Sequence, residues 1–154
     1  MLLSHWRRER ISAKWPSVGD DLSEVLLKDA NEVSWTPTHG KPLVLLAFSV
    51  ECAHCVEIAP HWAAWIEEHG GEWEVKALSR EPGPRAKRFI EQHGWRAKIV
   101  PRGSLGSIGE SLTSRTPWVF ITDPEGTIVA EGHGSRLPEL SRTALTSLEA
   151  RSRP

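Results

Sequence analysis

The sequence predicts an α/β domain whose central, mixed β-sheet is flanked by helices on both faces. Three observations carry that expectation. Leu43-Val44-Leu45-Leu46-Ala47-Phe48 is a continuous apolar run behind a Gly40-Lys41-Pro42 break, as in a strand buried on both faces. Apolar positions then alternate between helical spacing and short strand-like runs, the pattern of strands joined by covering helices. The last two strand-like runs flank Asp123-Pro124-Glu125-Gly126, a turn sequence that joins antiparallel strands. Parallel and antiparallel pairs must then share one sheet.

Taken in order, residues 1–20 are charged, carry Pro16 and Gly19 and lack periodicity, so they read as an N-terminal arm that is only partly ordered. A single domain fills residues 21–154. Residues 24–27 and 32–35 flank Lys28-Asp29-Ala30-Asn31 as an N-terminal β-hairpin. After the central strand at 43–48, Ile58, Trp62, Trp65, Ile66 and His69 follow helical spacing until Gly70-Gly71 ends it. This helix begins near Cys52. Residues 74–78 read as a strand, and Ala86, Phe89, Ile90 and His93 mark a helix that Gly94 closes. Residues 97–100 form a short strand, and 105–112 a weak helix with two glycines. The strands 118–121 and 127–131 make the closing hairpin, and Leu137, Leu140, Ala144, Leu145 and Leu148 face inward from a terminal helix.

The length of 154 residues suits one domain. Such a domain buries roughly 70% of the surface its unfolded chain exposes, so it needs no disulfide staple. Nineteen basic and 20 acidic residues are interspersed, for a net charge of −1. They form neither a basic stripe for nucleic acid nor an acidic tail. Eight Trp stand beside no Tyr, and most of them read as core fillers. Met1-Leu2-Leu3 gives way at once to Ser4-His5-Trp6-Arg7-Arg8-Glu9-Arg10, without the apolar stretch of a signal peptide or membrane span. As written, the chain reads as a cytoplasmic monomer, or as an extracytoplasmic protein if residue 1 is not the true start.

The two cysteines, Cys52 and Cys55, sit where the central strand hands over to a helix. A helix N-terminus presents unpaired N–H groups and roughly half a positive charge, which favours a thiolate. Cys52 is then the nucleophile, and Cys55, on the same first turn, can resolve a mixed disulfide. Two other readings exist for the same residues. Cys52, His54, Cys55 and His61 could form part of a copper or zinc site, although structural zinc sites draw four ligands from two well-separated pairs and this chain has no second pair of cysteines. The pair could also be inert, against which Glu51, His54 and Glu57 make the segment polar.

Pro60 falls five residues after Cys55, inside the expected helix, where it would kink the axis. Thr116-Pro117 opens the strand Trp118-Val119-Phe120-Ile121, a position open to an ordinary trans proline as well. Together with the strand 43–48, Cys-Ala-His-Cys and the closing hairpin and helix, these residues resemble the thioredoxin superfamily over roughly residues 20–150. About 60 residues lie between Cys55 and Pro117, enough for a central α/β insertion, and this looks like the TlpA/ResA/MauD-type, redoxin-domain disulfide reductases. The resemblance implies a thioredoxin-like fold and a cis Thr116-Pro117 bond lying against a redox-active Cys52–Cys55 disulfide. It further implies a docking groove at Thr116 and Pro117, no other cofactor and no metal; Trp118 reads either as a further wall of that groove or as core packing. The partners would be protein thiols or disulfides and a redox partner protein.

The sequence also departs from that pattern. The buried Asp that thioredoxins place six residues before the first cysteine is Leu46 here, and the Trp before that cysteine is Glu51. A carboxylate beside a thiolate raises its pKa, an effect that His54 can offset. The expected function is a thiol-disulfide oxidoreductase, as a disulfide reductase. A peroxiredoxin-like peroxidase is the alternative from another class: Ser49 stands three residues before Cys52, but Leu45 occupies the place of the usual proline.

Overall fold

The computed structural model describes residues 15–23, 41–81, 83–100 and 105–152. The expected N-terminal hairpin at 24–35 lies outside the described residues. Strand β1 (Leu43–Phe48) is buried at every position. Its odd residues Leu43, Leu45 and Ala47 face one hydrophobic cluster and its even residues Val44, Leu46 and Phe48 another, because successive side chains point to opposite faces. That is why the run carries no polar alternation.

Helix α1 (Ala53–His69) leads from β1 to β2 (Glu74–Ser79), and α2 (Gly83–His93) leads on to the two-residue β3 (Lys98–Ile99). Then come α3 (Ser107–Leu112), β4 (Trp118–Thr122), β5 (Ile128–His133), a 3-10 turn (Gly134–Arg136) and α4 (Leu137–Ser152). The sheet order is β3-β2-β1-β4-β5. β1 and β2 are parallel, as are β2 and β3, whereas β4 runs antiparallel to both β1 and β5. The predicted mixed sheet is therefore present, and β1 is its centre.

Helices cover both faces, but unequally. The crossovers through α1 and α2 step the same way across the sheet, which places both helices on one face. There Trp62, Trp65, Ala86, Phe89 and Ile90 meet Leu137, Leu140 and Ala144 of α4 in one cluster. The other face carries Leu112 and Ile108 of α3, with Leu22 and Val100. Leu22 belongs to a lead-in that follows the hairpin: Gly19 N–H donates to Ile128 O at 2.9 Å, Ile128 N–H to Asp20 O at 2.9 Å and Leu22 N–H to Gly126 O at 2.7 Å. Part of the expected arm thus packs against the domain.

Four tryptophans act as core fillers: Trp62, Trp65, Trp73 and Trp95 are all buried. Trp95 centres an aromatic group, 5.1 Å from Phe48, 5.3 Å from Trp62 and 5.5 Å from Phe89 between ring centroids. Its indole N–H donates to Ala59 O at 2.9 Å, and that of Trp62 donates to Gly134 O at 2.9 Å. Helix α1 is thereby fixed at two points along its length. Pro60 lies inside it, exposed to solvent. Its missing N–H leaves the Val56 carbonyl without a helical donor.

Candidate active site

The loop 49–52 links the buried end of β1 to α1, and Cys52 is the N-cap, with extended backbone dihedrals of −88° and 121°. Its carbonyl already accepts from Val56 N–H at 3.1 Å. In the thiol form the sulfur makes no capping bond and instead donates to Thr116 O at 3.6 Å. Desolvation alone would push the Cys52 thiol up. The Cys55 thiol and the amides of Cys55 and His54 stand close enough to favour the thiolate, and Cys52 ends below its ordinary value. The helix dipole acts in the same direction.

Cys55 differs in every respect. It is wholly buried, within the cluster beneath α1. Burial pushes its thiol up to about 12, against a stabilising bond from the Ser49 amide, whose N–H lies 3.4 Å from the Cys55 sulfur. Both residues are free thiols. One sulfur is partly exposed and acidic, and the other is buried and protonated behind it.

The Thr116-Pro117 bond is cis, and it brings Thr116 O to the Cys52 sulfur. Gly134 N–H donates to Pro117 O at 3.0 Å, which ties this loop to the end of β5. Gly134 has no room for a side chain: a Cβ there would lie 2.6 Å from Trp62 Cζ2 and 2.9 Å from Pro117 Cβ. Beside it opens a cleft of about 280 Å³ lined by Ile58, Trp62, Trp65 and Leu137.

The remaining expected site residues fall in different places. His54 is exposed, with Nδ1 3.6 Å from Glu57 Oε2. Glu51 is turned to Arg85 of α2, at 3.0 Å, and the opposition expected from its carboxylate does not prevail at Cys52. Trp118 is not brought to the cysteines. Its side chain packs with the cluster on the sheet face opposite α1, and its indole N–H donates to Glu131. Arg115 lies between two indoles, 3.7 Å from the Trp15 centroid and 4.0 Å from that of Trp118.

A further carboxylate stands beside the loop between the cysteines and β1, at a position with no local sequence mark. Glu81, just past β2, accepts from Ser49 Oγ, from Val50 N–H at 3.1 Å and from Ser79 Oγ at 2.7 Å. Burial opposes its ionisation, but these donors hold its carboxyl below the usual carboxylate range. The available signal was positional: the ends of adjacent parallel strands are where α/β proteins gather functional groups. Ser49 and Glu81 follow two such ends. Among the described residues no group of three or more His, Cys, Asp or Glu could hold a metal ion, and no helix is long and apolar enough to cross a membrane.

A central β1, an N-capping Cys52 and a cis proline facing it can be compared with known proteins. No sequence-family model and no curated protein matches the chain. Solved structures do match. StoA from Bacillus subtilis superposes with a TM-score of 0.59 at 17% identity, over 82% of this chain and 99% of that one. The chain has the thioredoxin-like fold. The thioredoxin domain of a thiol-disulfide oxidoreductase from Bacteroides vulgatus shares this thioredoxin-like fold at a TM-score of 0.58 and 18% identity, over 89% of this chain and 96% of that one. A secreted disulfide oxidoreductase from Mycobacterium tuberculosis matches at 0.57 and 16% identity, over 80% of this chain and 98% of that one. At these identities the likeness establishes the thioredoxin-like fold, and the chemistry has to be argued from the cysteines.

Proposed function

We propose that the protein is a thiol-disulfide oxidoreductase that reduces protein disulfides through Cys52 and Cys55. The observation that carries this reading is the asymmetry of the pair: Cys52 is partly exposed and acidified at a helix N-terminus, and Cys55 is buried and protonated behind it. Two of the structural neighbours, described as a thiol-disulfide oxidoreductase and a secreted disulfide oxidoreductase, support an oxidoreductase role. The Cys52 thiolate attacks one sulfur of a substrate disulfide, forming a mixed disulfide and expelling the other sulfur as a thiolate that takes a proton from solvent. Cys55 then loses its proton and attacks the Cys52 sulfur. The second substrate thiolate leaves, and the enzyme holds the Cys52–Cys55 disulfide. Two electrons have passed to the substrate, and a redox partner protein restores the dithiol. The pair itself is the redox group and needs no added cofactor.

In this reading Thr116 and Pro117 form one wall of the docking groove, supported by the 3.6 Å approach of Thr116 O to the Cys52 sulfur, and the cleft beside Gly134 takes an apolar side chain of the substrate. His54 and Glu51 stand at the solvent edge, and Pro60 lies about one and a half turns further along α1. Insulin reduction with a dithiol as electron source tests the reading. Wild type should accelerate precipitation of the insulin chains, and Cys52→Ser should match the rate without enzyme. Equal rates for the two proteins would reject it.

A further inference from the structure

Strand β1 beneath Cys55 is apolar throughout, so polar help for that sulfur comes chiefly from the loop that follows, with a smaller share from Thr116. Ser49 begins this loop, and its N–H points at Cys55 Sγ from 3.4 Å. The Ser49 hydroxyl donates to Glu81 and accepts from Glu51 N–H at 3.3 Å. The same carboxylate takes the Val50 amide, and Ser79 Oγ braces it from β2 by donating to it and accepting from Glu81 N–H at 3.0 Å. One carboxylate therefore holds two consecutive loop residues.

We propose that Glu81 is a positioning residue for the resolving step, holding Ser49 so that its amide faces the Cys55 sulfur. The inference rests on the oxidoreductase reading. In the resolving step Cys55 gives up its proton, its sulfur attacks Cys52 Sγ, and the bond from Cys52 to the substrate sulfur breaks as the substrate thiolate leaves. The donor matters most when charge gathers on Cys55, because hydrogen bonds to charged groups are the stronger ones. Glu81→Gln replaces one acceptor oxygen by a donor amide, which cannot accept from the loop.

Stopped-flow reaction of the reduced protein with dithiobisnitrobenzoate separates the steps. At high reagent concentration, attack by Cys52 releases the first thionitrobenzoate. Attack by Cys55 releases the second in a concentration-independent phase. Glu81→Gln should slow the second phase about tenfold, the size of one hydrogen bond to a charged group, with the first phase nearly unchanged. The pH at which the second phase gains speed should move upward. The titratable groups around Cys55 are Cys52 at the N-cap, His54 and Glu57 on α1, Glu51 in the loop, Arg80 after β2 and Arg85 on α2, and every variant retains them all.

Ser49→Ala removes the hydroxyl but keeps the amide. It should reproduce the effect, and the double variant should be no slower than either single one. Should Glu81→Gln not fold, Ser49→Ala carries the test alone. An unchanged second phase, or equal slowing of both phases, would overturn the inference and leave the oxidoreductase reading standing. Absence of the first phase in wild type would remove both.

Discussion

Two thiols in one helical turn acquire opposite chemistry from a difference in burial. Cys52, partly exposed at the helix start, is stabilised as a thiolate by nearby donors, whereas desolvation dominates at Cys55. Alkylation by iodoacetamide should thus modify Cys52 alone in the folded, reduced protein. Its rate should rise through a midpoint below the 9.0 of an ordinary thiol. Mass spectrometry of the alkylated protein checks this, and similar labelling of both cysteines would contradict it. Glu51 illustrates how a neighbour in sequence differs from one in space. Next to Cys52 in the chain, it reaches across to Arg85 on α2, so its charge is partly compensated by a residue 34 positions away.

At the level of elements, the site depends on how α1 is held. Its N-terminus carries the cysteines, and its middle is bonded through Trp62 to Gly134, which in turn bonds Pro117. Helix, turn and cis-proline loop thus meet at one glycine. Gly134→Ala should destabilise the protein by about 1–3 kcal/mol, the usual cost of overpacking, because the new methyl meets Trp62 and Pro117. It should also lower insulin-reducing activity, since relief requires Pro117 or α1 to move. Urea denaturation followed by tryptophan fluorescence gives the first quantity, and an unchanged midpoint would show that the turn can yield. Gly71→Ala is the control, as a Cβ there meets nothing within 4 Å.

For the whole molecule, the buried thiol couples the folding equilibrium to pH. The Cys55 value is raised from 9.0 to about 12 on folding. Such a group contributes its full stabilisation below the unfolded value, and that contribution is lost as pH rises from about 9 towards 12. The urea midpoint of the reduced protein should accordingly fall across that interval, and Cys55→Ala should fall less steeply. Parallel falls would assign the alkaline loss to other groups. The window lies well above neutral pH, so the reduced state keeps this term where the chemistry operates.

The strands and helices were legible in the sequence because their burial repeats with a local period. Strand β1 coincides with the run 43–48, and α1 ends at the paired glycines. The thiol pair and Thr116-Pro117 were legible as well, since strand-to-helix and loop-to-strand junctions leave local marks. The unequal covering of the two faces was not, because it follows from the direction in which successive crossovers step across the sheet. For Trp118 the sequence left groove and core packing open, and strand alternation sends its ring to the face away from the cysteines, where Arg115 and Glu131 receive it. Glu81 was hidden for a related reason. It lies 32 residues from Ser49, and only the parallel pairing of β1 with β2 brings their ends together. The sequence by itself thus determined the strand order along the chain and the two sulfurs. Tertiary structure alone decided which sulfur is buried and which distant groups hold the loop between them, because desolvation and hydrogen bonding depend on neighbours in space.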